Sequence, residues 1–257
     1  MSDTDRFGKA DEISEGNIFC PQEVIRYDDI RIRSFTPDEI LKPLSVTCHA
    51  FTQKPVDKEG LCTILRSLLG LEAVKIQAEQ EGYKPKEINW EMISRKGDFN
   101  NFFLKVENDG GRVRSWQVKT TQYFSQFLLL DKKYYSDDGT YRDSITDPVT
   151  YYRYFLQRIQ LNDDLPADEL LKIVAEQLDY EECVKRCAEY AKEIKASFGE
   201  ARYITKEDFT YLRQNNFLLD NGSRIKVYKD SDNKGRSLEG DHYYALYSDM
   251  RTLTNQN

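Results

Sequence analysis

"RSWQVKTTQ", residues 114–122, is the stretch on which the reading of the fold turns. It has the composition of a buried strand, yet it keeps an amide and an ammonium two residues apart. On a strand, alternate side chains share a face. Val113, Ser115, Gln117, Lys119 and Thr121 therefore point one way, and Arg114, Trp116, Val118 and Thr120 the other. A carbonyl oxygen beside an ammonium suits a hydrated divalent cation and an attacking water, provided that carboxylates converge from elsewhere. The plainer reading is an edge strand whose lysine faces solvent and blunts aggregation, with Gln117 beside it.

Two carboxylates are placed to converge. Asp98 follows Gly97 at the start of "NFFLKVE", and "NDGG" (108–111) has hairpin-turn composition, which lays that strand alongside 112–121. Glu72 falls, at helical spacing, in the middle of a stripe made by Leu61, Leu65, Leu68, Leu69 and Ile76. A charge there needs a reason. Pairing with Lys75, a neighbour on the helix surface, is the simple one. For Asp98 the simple reading is a turn residue after glycine.

These residues resemble the PD-(D/E)xK superfamily of restriction-endonuclease-like nucleases, in its Mrr-like variant, whose last motif often carries Gln in place of Glu. "LGLEAVKIQAEQEGY" (69–83) looks like that family's first helix, "KGDF" (96–99) like its aspartate motif and "WQVKTT" (116–121) like its QxK strand. The likeness spans roughly residues 60–130. It implies that Asp98 and the Gln117 side-chain oxygen bind Mg²⁺ (or Mn²⁺), helped by the Val118 carbonyl and by Glu72, directly or from one step behind. Lys119 would orient or deprotonate the water. The implied activity is metal-dependent hydrolysis of nucleic acid phosphodiester bonds, DNA before RNA, in a prokaryotic or phage defence system. The sequence departs from the family's pattern in two places: no proline precedes Asp98, and the polar run "SRKGD" stands between the expected strand and the aspartate.

Bulk composition sets limits on this reading. A chain of 257 residues holds one large domain or two small ones. Charged residues of both signs make up 32% of it. No stretch of about 18 apolar residues and no export signal is present. The expectation is a soluble, cytoplasmic protein with no membrane partner. Cys20, Cys48, Cys62, Cys183 and Cys187 form no short-spaced framework, in keeping with a reducing compartment. A net charge of −7 argues against a broad basic face for nucleic acid. It leaves room for basic groups lining a cleft, with target choice supplied by a protein partner, by homo-oligomerisation or by the C-terminal half.

The expected architecture is α/β or α+β: a restriction-endonuclease-like central mixed sheet flanked by helices, with a mainly helical C-terminal half. Residues 1–20 read as a flexible leader and 21–135 as the nuclease-like core. Residues 136–257 read as the helical region, with a terminal hairpin on Asn221 and Gly222. "EVIRYDDIRIRSF" predicts a strand pair, "TPDEILKPL" a short helix stopped by Pro43, "EINWEMIS" a strand and "DPVTYYRYFLQRIQL" a helix. The stretch 165–199 reads as one long amphipathic helix or a pair, closed by Gly199.

Other chemistries find less support. Cys183 and Cys187 lie four apart, but only His49 and His242 remain to complete a tetrahedral zinc set. Cys48 and His49 face apart as strand neighbours. No P-loop, dinucleotide fingerprint or nucleophile elbow is present. The acidic runs lack the alternation of a calcium loop. The rival function is a non-catalytic protein–protein interaction protein on a decayed nuclease-like scaffold, docking through Tyr134, Tyr135, Tyr141, Tyr151, Tyr152 and Tyr154.

Overall fold

The strand predicted over 113–121 forms as β6 (Val113–Gln122), and it lies inside a sheet rather than at its edge. β5 (Phe102–Glu107) pairs antiparallel on one side, and β8 (Tyr151–Leu161) pairs parallel on the other. The hairpin between β5 and β6 closes on Asn108. Its side-chain oxygen accepts from the Gly110 and Arg112 amides, while Gly111 takes φ 72°, which glycine adopts without steric penalty. These and the other features below belong to a computed structural model that describes residues 5–13, 17–50, 57–96, 102–108, 110–143, 147–162, 164–227 and 235–253.

The central sheet runs β15 (Arg251–Thr252), β10 (Arg202–Thr205), β8, β6, β5, β4 (Lys84–Pro85). β9 (Ala196–Gly199) pairs with the far end of β8 and carries β3 (Ile32–Ser34) on its other edge. One face of the sheet is covered by α2 (Lys58–Gln80), whose Leu68, Leu71, Val74 and Ala78 pack with Trp116, Val118 and Phe155. The other side of α2, through Leu61, Leu65, Leu69 and Ala73, meets α1 (Pro37–Ala50), α4 (Ala167–Ala175) and α5 (Tyr180–Glu193). α3 (Trp90–Lys96) adds Trp90 to the sheet-facing cluster. The opposite face of the sheet is covered by α6 (Lys206–Gln214) and a three-stranded sheet of β11 (Leu218–Leu219), β14 (His242–Leu246) and β7 (Phe127–Asp131). A small sheet of β1 (Asp11–Ile13), β2 (Ile18–Cys20), β12 (Arg224–Ile225) and β13 (Arg236–Ser237) completes the mixed α+β fold.

α2 follows its sequence signals closely. The Asp57 side chain caps it by accepting from the Gly60 amide, and its two apolar stripes face two clusters. Gly70 lets this helix approach the sheet. A Cβ there would stand 1.8 Å from the Thr120 hydroxyl oxygen and 2.7 Å from its Cβ.

Several predicted elements change type. Residues 151–161, read as helical, form the interior strand β8: covered on both faces, it carries apolar residues at consecutive positions, such as Tyr154, Phe155 and Leu156, instead of alternating ones. "WEMIS" (90–94) is helical, in α3. Pro43 sits inside α1 without stopping it: Ile40, Leu44 and Cys48 on either side of it are buried in the helical cluster, and that packing outweighs the lost hydrogen bond. "EVIRYDDIRIRSF" gives one short 3₁₀ turn and β3. The turn at Asn221 and Gly222 exists, but its flanks join different sheets. The C-terminal half is mixed rather than mainly helical, with β8 to β15 interleaved among α4, α5 and α6.

Residues 5–13 and 17–20 hold more structure than a leader. β1 and β2 pair antiparallel, Phe7 is buried against Tyr211 and Phe217, and Arg6 pairs with the buried Asp208 at 2.6 Å.

Candidate functional site

Alternation on β6 does put Gln117 and Lys119 on one face, and Val118 on the other. That first face is the one turned away from α2. Gln117 is fully buried, and its Oε1 accepts the Tyr135 hydroxyl proton at 2.5 Å. Tyr135 packs among Tyr141, Tyr154 and Phe209, and burial holds its phenol well above the usual tyrosine range. It therefore stays protonated and keeps donating. Lys119 is half-buried, with Leu156 of β8 as its register partner. Val118 has Phe102 and Phe155 as partners on a strand paired at both edges, so its carbonyl points along a ladder rather than into a cavity.

Glu72 is on the other side of the sheet. α2 touches β6 through its even-numbered residues, by the Gly70–Thr120 approach and the Leu68–Val118 cluster. The charged groups around Glu72 are Lys75, Glu79, Lys42 and Glu39, all on α1 and α2. Lys75 pairs with Glu79 at 2.9 Å and Glu87 at 3.7 Å instead of with Glu72, whose Oε2 is buried without a hydrogen bond. Burial pushes the Glu72 carboxyl up to about 7. Asp98 lies outside the described residues.

The structure thus brings Gln117 and Lys119 together and leaves Glu72 apart. On that face the Gln117 oxygen accepts from Tyr135, while the charged neighbours of the Glu72 carboxyl are those of α1 and α2. Among the described residues no group of three or more His, Cys, Asp or Glu suited to a metal occurs. Cys48, Cys183 and Cys187 meet where α1 crosses α5, but buried in the apolar cluster, where the Cys183 thiol is pushed up to about 12 mainly by burial.

The tyrosines expected to form a docking surface are mostly core. Tyr135, Tyr141, Tyr151 and Tyr154 are buried and stack edge-on or tilted on one another, and Tyr134 is half-buried against Tyr141. Only Tyr152 of the six is exposed, at 42%. A run of aromatic residues in an interior strand fills both faces of the sheet before it reaches solvent.

A cavity of about 520 Å³ opens beside Tyr152. The turn after α2, the end of β5 and the first residues of β6 and β8 form its walls. Arg153 stands at its base, with its guanidinium carbon 4.7 Å from the Trp116 ring centre, 5.0 Å from that of Tyr83 and 4.4 Å from that of Tyr203. One of its nitrogens donates to the Tyr83 hydroxyl at 3.0 Å. Arg114, exposed, lies 4.5 Å over the Tyr152 ring on the same cavity. No family model, curated protein or solved structure matches the chain.

Three carboxylates, Glu81, Glu107 and Glu207, also line this space, yet none forms an ion pair with either arginine. Glu107 is taken by Lys86, and Glu81 and Glu207 are exposed. Sequence reasoning missed both arginines. The available signal was an arginine among aromatics in "YYRYF", hidden by reading that stretch as a helix. Among the described residues no helix is long and apolar enough to cross a membrane.

Proposed function

We propose that this chain acts by binding, on a scaffold of the restriction-endonuclease-like kind, and that its recognition site is the arginine-lined cavity rather than the QxK pair. The observation that carries this reading is the presence of two guanidiniums, Arg114 and Arg153, on one cavity without a carboxylate partner among the described residues. Arg153 is half-buried and forms no ion pair among the described residues, so its charge on the cavity, joined there by the exposed Arg114, is complementary to an anion that arrives from outside. The helix α2 followed by the β5–β6 hairpin and a mixed sheet supports the scaffold. The burial of Gln117 and its bond to Tyr135 support a structural role for the amide, which answers why a sheet interior keeps it.

Hydrolysis at Lys119 is the competing activity. The test is incubation of purified protein with supercoiled, linear and single-stranded DNA and with RNA, in Mg²⁺ or Mn²⁺ against EDTA, beside a folded Lys119→Ala variant. The binding reading expects no cleavage of any substrate. Metal-dependent cutting that disappears in Lys119→Ala would replace it with the nuclease.

A further inference from the structure

Resting on the reading of the cavity as a recognition site, we infer that it binds a small aromatic monophosphate, of the nucleoside monophosphate class. The walls divide into two kinds. Arg153 has ring faces of Trp116, Tyr83 and Tyr203 packed around its guanidinium, which fixes the plane of the group and leaves its remaining in-plane N–H donors without a protein acceptor among the described residues. A planar guanidinium held in this way is prepared for a phosphate or carboxylate oxygen, and charge-assisted bonds of this type are among the stronger ones available. Arg114 and the exposed Lys84 bring two further cations to the same space.

The aromatic part of the ligand follows from the remaining walls and from size. A volume of about 520 Å³ lies in the range of small-molecule and cofactor pockets and far exceeds what an inorganic anion fills. Tyr152 is exposed, with Arg114 over one face of its ring, so a second planar group stacks on it at little cost in ordering. Trp116 and Val106 supply apolar wall. The exposed Glu81 and Glu207 on this cavity, together with the net charge of −7, repel a long polyanion while tolerating one compact dianion held against the arginines. Those acids set the choice of a monomeric ligand over a nucleic acid strand.

The test is titration of the full chain with AMP, GMP, CMP and UMP, followed by tryptophan fluorescence and calorimetry, with adenosine, inorganic phosphate, phenyl phosphate and a short single-stranded oligonucleotide as comparisons. At least one mononucleotide should bind, with adenosine and inorganic phosphate each weaker by tenfold or more, and the oligonucleotide no tighter. Arg114→Ala, an exposed change that leaves the core intact, should weaken mononucleotide binding at least tenfold; Lys84→Ala should weaken it less. Absence of mononucleotide binding overturns the inference, as does binding that Arg114→Ala leaves unchanged. Phenyl phosphate bound through Arg114 while no mononucleotide binds would refute the ligand class but keep the cavity as a recognition site. The functional reading falls separately, on the cleavage assay.

Discussion

Replacing Glu72 by Gln should stabilise the protein, and by an amount that depends on pH. Glu72 sits on α2 facing α1, and its carboxyl rises from 4.5 to about 7, chiefly through burial, with Glu79 and Glu39 adding to it and Lys75 and Lys42 opposing. The folded state therefore holds the proton more tightly than the unfolded state. Its favourable contribution is complete below about pH 4.5 and is lost as pH rises through 7. At roughly 1.4 kcal/mol per pH unit, the shift corresponds to about 3 kcal/mol at full ionisation, a sizeable part of the roughly 5–15 kcal/mol that holds a typical domain. Gln keeps the shape and cannot ionise. Urea denaturation of wild type and Glu72→Gln at a series of pH values should give similar stabilities at the acid end and a gap that opens through neutrality to as much as about 3 kcal/mol in favour of the variant. A gap that stays constant across that range would refute the assigned burial. A variant less stable than wild type at alkaline pH would show that the carboxylate has a partner there.

Three further outcomes follow from the packing. Tyr135→Phe removes the proton donated to the buried Gln117 oxygen and should cost about 1–3 kcal/mol by chemical denaturation, with a Gln117→Leu, Tyr135→Phe double variant losing less than the sum of the two. Gly70→Ala should destabilise despite the better helix propensity of alanine, by roughly 1–3 kcal/mol. Thr120→Ala should restore only part of that loss, since the new Cβ would still stand 2.7 Å from the Cβ at 120. Of the five thiols, an aromatic disulfide reagent should titrate only the half-buried Cys62 quickly in the native protein, and all five after denaturation.

The parts of the fold legible in the sequence are those fixed by local chemistry. "NDGG" between two alternating runs gives the β5–β6 hairpin, and Asp57 before an apolar stripe gives the start of α2. β8 was illegible because a strand covered on both faces loses the period of two that distinguishes it from a buried helix. The site was half legible. Alternation correctly puts Gln117 and Lys119 on one face, but which face α2 covers depends on Gly70 meeting Thr120, a contact between residues fifty apart that no local pattern records. The Arg114–Arg153 cavity depends on a parallel pairing, with a register shift between Ser115 and Trp116 that sets Arg153 opposite Trp116. Only the tertiary fold makes that juxtaposition.

In the proposed function the amide of the QxK strand serves the core while recognition occurs at the arginine cavity. Paramagnetic broadening of the amide spectrum by stoichiometric Mn²⁺ tests it most directly, because an ion held by Gln117 and the Val118 carbonyl would erase their signals first. The account predicts that the amides of Gln117, Val118 and Lys119 keep the intensity of the rest of the sheet. Selective loss of those signals, and of Glu72 with them, would contradict it and restore the metal to this strand.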